Sequence, residues 1–152
     1  MRKEEFQIFF SGAEQPQWFK IIAEQTNAML VTYTWLKRWG IDNMTGLFTS
    51  RPDIRLIIDS GAYTLNTNQE KYQDKDEEWF ENYIQEYVDL VRVYKDHVFA
   101  CVEVDLGAFV SDDTIERWRN TYFKELEEEG IQVIYVWHRG QNSDGFSEFQ
   151  DM

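Results

Sequence analysis

Four short apolar runs, each ending on polar side chains, constrain this chain more than any other feature. Leu56-Ile57-Ile58 delivers Asp59-Ser60-Gly61-Ala62-Tyr63, and Phe6 to Phe10 leads into Ser11-Gly12-Ala13-Glu14. Val98 to Val102 leads into Glu103-Val104-Asp105, and Ile131 to Val136 leads into Trp137-His138-Arg139. Apolar runs of strand length that stop at carboxylates, hydroxyls and glycines are how parallel strands end at a binding site. The intervals between them are long enough for helical crossovers.

Taken in order, Phe6 to Phe10 reads as the first strand. Trp18, Phe19, Ile22 and Ala23 fit an amphipathic helix with Pro16 in its first turn. Ala28 to Tyr33 is a second strand, and Trp35, Leu36 and Trp39 mark a helix that Gly40 stops. Residues 41 to 54 carry Asn, Gly and Pro and read as an irregular connection. After the third strand, Arg55 to Ile58, the polar stretch Leu65 to Lys75 reads as a surface loop. Asp76 then caps a helix with the stripe Trp79, Phe80, Tyr83, Ile84, Tyr87, Val88, Leu90 and Val91. Val98 to Val104 scarcely alternates and reads as a buried parallel strand. Ser111 or Asp112 caps a further helix over Ile115, Trp118, Tyr122 and Leu126, which Gly130 closes before the fifth strand, Ile131 to Val136.

Alternating strands and helices imply an α/β fold: right-handed crossovers and parallel strands with helices outside. Two architectures are expected, about five-eighths of a TIM-type barrel or an open doubly wound sheet, in one domain spanning residues 1–152. No glycine-rich phosphate fingerprint follows the first strand, which disfavours a dinucleotide fold. Polar groups at every strand end favour the barrel, where such ends build the site.

The formal charge of -13, from 15 basic against 28 acidic side chains, sets a penalty on nucleic-acid binding. Part of the excess is the run Glu125-Leu126-Glu127-Glu128-Glu129, a solvated helix face. The apolar runs are far shorter than the roughly 20 residues of a membrane span, and Met1-Arg2-Lys3-Glu4-Glu5 precedes no secretory apolar region, so a cytoplasmic protein with no membrane contact is expected. Cys101 is alone and reads as a small buried hydrophobe. With two histidines and no paired cysteines, no metal and no cofactor are expected.

Parallel strands would gather Ser11, Glu14, Tyr33, Asp59, Ser60, Glu103, Asp105 and His138 at one rim. Clustered carboxylates shift one another's pKa values, which lets one act as a base while its neighbour accepts hydrogen bonds. His138 reads as a hydrogen-bond partner at the pocket mouth. Ligation of a metal by His138, Glu103 and Asp105 has less support with two histidines and no paired cysteines, and so does a triad of Ser60, His138 and Asp105, since no nucleophile-elbow spacing is present.

Asp59-Ser60-Gly61-Ala62-Tyr63 resembles the Asp-Ser-Gly-Gly-Phe or Asp-Ser-Gly-Ala-Phe signature of the tRNA-guanine (queuine) transglycosylase superfamily, especially its divergent phage and bacterial members linked to deazapurine modification of nucleic acid. Ile8 to Glu14, Leu30-Val31-Thr32-Tyr33, Glu103-Val104-Asp105 and Val133 to His138 fall in the order such proteins show, so the likeness spans nearly the whole chain through short motifs. It implies a barrel and exchange of guanine for a 7-deazaguanine, with Asp59 in proton transfer near the sugar. Ser60, Gly61, Tyr63, Glu103, Asp105 and His138 would bind the base. Within that set Asp105, with Glu103 the near alternative, would read the Watson-Crick edge, whose N1-H and amine are both donors. Tyr63 would stack on the base.

The chain departs from the family pattern in two places. The second aspartate, the covalent nucleophile, lies beyond Met152, and the cysteine-rich zinc site is missing. The chain is therefore expected to be the N-terminal half of such a protein, in host cytoplasm if phage-encoded, binding a guanine or 7-deazaguanine base or nucleotide. Any activity would be base exchange, a pentosyl transfer. Expected partners are a purine or deazapurine, nucleic acid, and a second copy or another protein that completes the barrel. The alternative is a noncatalytic acidic protein that binds and inhibits a host or defence protein.

Overall fold

A computed structural model describes residues 7–11 and 16–137, with the side chains of residues 16, 17, 41 and 42 excepted. Its elements in chain order begin with α1 (Pro16–Gln25), β1 (Ala28–Thr32), α2 (Tyr33–Trp39), α3 (Ile41–Ser50) and β2 (Arg55–Asp59). Next come α4 (Ala62–Thr67), α5 (Gln69–Tyr72), α6 (Glu77–Val93) and β3 (Val98–Val102). Last are α7 (Asp112–Trp118), a π-helical turn (Arg119–Phe123), α8 (Lys124–Glu128) and β4 (Gln132–Ile134).

The four strands form one all-parallel sheet in the order β1-β2-β3-β4, so the α/β class and the parallel pairing stand as expected. Among the described residues the order follows the chain without a reversal. The expected first strand is reduced there to a single parallel bridge: Phe10 N-H donates to the Ala28 carbonyl and the Phe10 carbonyl accepts from Leu30 N-H.

Registers and the two-residue period of a strand divide the sheet into two unlike faces. Met29, Val31, Leu56, Ile58, Cys101 and Val133 share one face and are all buried in a single core. The helices supply the rest of that core, with Phe19 from α1, Leu36 from α2, Met44 and Phe48 from α3, the stripe Phe80, Ile84, Tyr87, Val88 and Val91 from α6, and Trp118, Phe123 and Leu126 from the last helical segment. On the other face Leu30, Ile57 and Val102 are only partly buried and Ile134 is exposed.

Caps follow the residues read for them. Asp76 accepts from Trp79 N-H at 2.9 Å, and Ser111 accepts from Thr114 N-H. Gly40 and Gly130 leave their helices at φ 87° and 85°, a left-handed region that glycine enters without a Cβ clash.

Three expectations are corrected. Residues 41–54 contain α3, because Met44 and Phe48 at i,i+4 bury against the core and outweigh the Asn and Gly beside them. Leu65 to Lys75 holds the end of α4 and all of α5, anchored by buried Leu65. Tyr33 does not end a strand at the rim; it begins α2 and is 2% exposed, its ring edge-on to Tyr83 and Tyr87 and its hydroxyl donating to Glu86.

Candidate functional site

The strand ends are tied together from the helix side by two tyrosines one turn apart on α6. The Tyr83 hydroxyl donates to the Ser60 carbonyl at 2.7 Å. The Tyr87 hydroxyl lies 2.8 Å from both the Ile58 and the Val102 carbonyl oxygens and shares its proton between β2 and β3. Burial holds both phenols protonated, Tyr87 well above its ordinary range.

Just past β2 the chain turns sharply. Gly61 sits at φ 76°, and a Cβ there would meet the Tyr83 hydroxyl at 3.2 Å and the Thr34 methyl at 3.3 Å. Asp59 Oδ2 accepts from Gly61 N-H at 3.1 Å, a local turn that fixes the carboxylate. Asp59 stands on the partly exposed face, in register with Thr32 on β1. Tyr63, in the first turn of α4, is 79% exposed.

The other predicted site residues divide. Ser60 is buried and its hydroxyl donates to the Glu103 carbonyl, so it joins β2 to the end of β3. Glu103 is buried as well: Arg119 Nε and Nη2 donate to its two oxygens at 2.6 Å each, and Val136 N-H donates to Oε1. The first helix residue after α7 thus fastens the last strand to the third. Both Glu103 oxygens are engaged inside the fold, a geometry unlike the open base-reading carboxylate expected of it. Asp105 is half-buried; Oδ1 accepts from Gly107 N-H at 3.4 Å and its carbonyl accepts from Asn66. Ser11 is exposed beside the Phe10 bridge. Glu14 and His138 lie outside the described residues.

Four residues that matter here carry no mark in the sequence pattern. Arg119 was one arginine in an amphipathic helix, and nothing marked the π-helical turn that aims it inward. Tyr83 and Tyr87 fall within the apolar stripe of α6, where spacing does not reveal their hydroxyl partners. Asn66 lay in a stretch read as loop, yet its Nδ2 donates to the Asp105 carbonyl at 3.0 Å and its Oδ1 is buried with no hydrogen-bond partner among the described residues.

The arrangement therefore offers Asp59 and Asp105 as carboxylates, Thr32 as a hydroxyl, Tyr63 as an exposed ring and Asn66 as an amide behind Asp105. Such a set accepts hydrogen bonds from a ligand rich in N-H groups. Among the described residues no three His, Cys, Asp or Glu side chains converge as a metal group, and no helix is long and apolar enough to cross a membrane. A separate groove of about 500 Å³ runs on the helix side between α2 and α6, but the Lys37-Glu86 ion pair lies in its wall and no strand end opens into it. No protein-family model, no curated protein and no solved structure matches this chain.

Proposed function

We propose that this chain binds a guanine or 7-deazaguanine base, or a nucleotide carrying one, at the C-terminal ends of its strands. The observation that carries the reading is Asp59: it ends β2 on the open face, its carboxylate fixed by the Gly61 turn, with exposed Tyr63 close behind it in the chain. The sequence order of the strands, without reversal, supports part of a TIM-type barrel over a doubly wound sheet. In this reading Asp105, rather than Glu103, accepts from N1-H and the exocyclic amine, because Glu103 is committed to Arg119 and Val136. Asp59 acts near the sugar, and Tyr63 covers the base. Base exchange by these residues alone has no covalent nucleophile assigned to it, so ligand binding is the activity proposed.

The test is thermal unfolding with a panel of guanine, 7-deazaguanines and guanine nucleotides. A ligand at about 100 times its Kd adds roughly 2.7 kcal/mol, which is several degrees for a chain of this size. A shift that Asp105→Asn removes, with the unliganded melting temperature unchanged, is the expected result. The absence of any shift overturns the reading.

A further inference from the structure

We infer that the face and the two edges of the sheet that the described residues leave open are the contact surface for a second copy of this chain, which closes the strands into a ring. A parallel sheet is normally covered on both faces, and here the described helices cover only one. Phe9 and Phe99 meet over the other face, their ring centroids 5.0 Å apart, although β1 and β2 lie between their backbones. Side chains standing perpendicular to a flat sheet would stay about 14 Å apart over three strand spacings. Their meeting makes this face concave.

Six of the nine exposed large apolar side chains among the described residues belong to segments that such a ring would bring together. Ile8 and Phe10, 71% and 52% exposed, lie at the β1 edge, and α1, which precedes β1 in the chain, exposes Trp18 and Ile21. Phe99 lies on the concave face, and Ile134 on β4, whose outer edge pairs with no described strand. Together these six expose on the order of 700 Å², close to the roughly 800 Å² per partner of a stable interface.

The two edges are compatible because every strand runs the same way. A two-fold axis along the strands sets β4 of one copy beside the Phe10 segment of the other, parallel, and does so twice. The contact joins unlike patches and closes at two copies. Both sets of strand ends then open on one mouth, which would hold two Asp59 carboxylates. That last consequence rests on the proposed ligand site; the pairing does not.

Light scattering across a micromolar dilution series tests the pairing without any ligand. The expected mass is twice 18.3 kDa. Phe10→Asp and Ile134→Asp should each give the single-chain mass with unchanged far-UV circular dichroism, because a charge on an edge blocks strand pairing. Val93→Asp, at an exposed apolar site on α6 away from both edges, should remain paired. A second measurement does not depend on those variants folding. In a Cys101→Ala background, Phe10→Cys in one copy and Gln132→Cys in the other should be joined by a short bismaleimide, while two Phe10→Cys copies should not. A single-chain mass at every concentration, a pair that survives both aspartates, or joining of like with like overturns the inference. A purine thermal shift in a single-chain protein would leave the ligand reading standing and the pairing refuted.

Discussion

Arg119 holds Glu103 through two parallel hydrogen bonds of 2.6 Å, and the same guanidinium donates to the Val136 carbonyl at 3.1 Å. The carboxylate is 1% exposed and sits one residue past β3, while Val136 lies two residues past β4. A residue from the π-helical turn thus locks two strand ends at the height of the candidate site. The pairing with Glu103 raises the Arg119 pKa, against the opposing effect of its partial burial.

Arg119→Met leaves a buried carboxylate with one remaining donor, the Val136 amide. Breaking a buried pair from one side typically costs about 3–5 kcal/mol, whereas removing both charges is far cheaper. Arg119→Met should therefore destabilise by several kcal/mol in urea, and Glu103→Gln combined with Arg119→Met by less than Arg119→Met alone. Additive effects of under 1 kcal/mol each would show that the pair does not fasten β4.

Gly61→Ala should destabilise by about 1–2 kcal/mol from its left-handed backbone alone. Its methyl would press on the Tyr83 hydroxyl and loosen the bond to the Ser60 carbonyl. The combined variant with Tyr83→Phe should lose less than the sum of the two, since the second change removes the atom that the first collides with. Strict additivity in equilibrium unfolding would dismiss the contact.

Tyr87→Phe removes one hydroxyl that serves two strand carbonyls inside the core. A buried acceptor left without a donor costs about 1–3 kcal/mol. The loss should exceed that of Tyr122→Phe, whose hydroxyl donates to Glu81 near the surface. Equal urea midpoints for the two variants would refute the assignment.

Those interactions also mark the limit of what the residue pattern tells. The apolar runs located β1 to β4 and their parallel sense, because burial on a helix-covered face demands Leu56, Ile58 and Cys101 with few polar interruptions. The stripe of α6 and the caps Asp76 and Ser111 were equally plain. What periodicity does not carry is partner choice. Glu103 and Asp105 look alike in sequence, and only the fold decides that the first faces Arg119 in the interior while the second stays half-open. Likewise Tyr33 looked like a strand-end group, but the chain bends into α2 one residue earlier and sends the ring into the core. Periodicity does not reveal α3 to α5, because α3 buries only Met44 and Phe48 among its described side chains, α4 only Ala62 and Leu65, and α5 none, so there is no long stripe to display.

Cys101 carries the pH dependence that is simplest to isolate. Burial pushes its thiol from an ordinary value of 9.0 up to about 12, with a hydrogen bond from Tyr87 opposing the shift. A folded-state pKa above the unfolded value means that the native state holds the proton more tightly. The resulting stability is fully present below about pH 9 and is lost as the pH rises toward about 12. One such group lowers the unfolding free energy by about 1.4 kcal/mol per pH unit inside that window. The raised phenols of Tyr83 and Tyr87 act with the same sign, but only once unfolded tyrosines begin to ionise near their ordinary value of 10.0. Between pH 9 and 10, therefore, the wild type should lose stability faster than Cys101→Ala, and the two slopes should converge below pH 8. In the same samples native Cys101 should resist a thiol reagent at pH 8 until urea unfolds the chain. Rapid native labelling, or identical slopes for the two proteins between pH 9 and 10, would place the thiol outside the core.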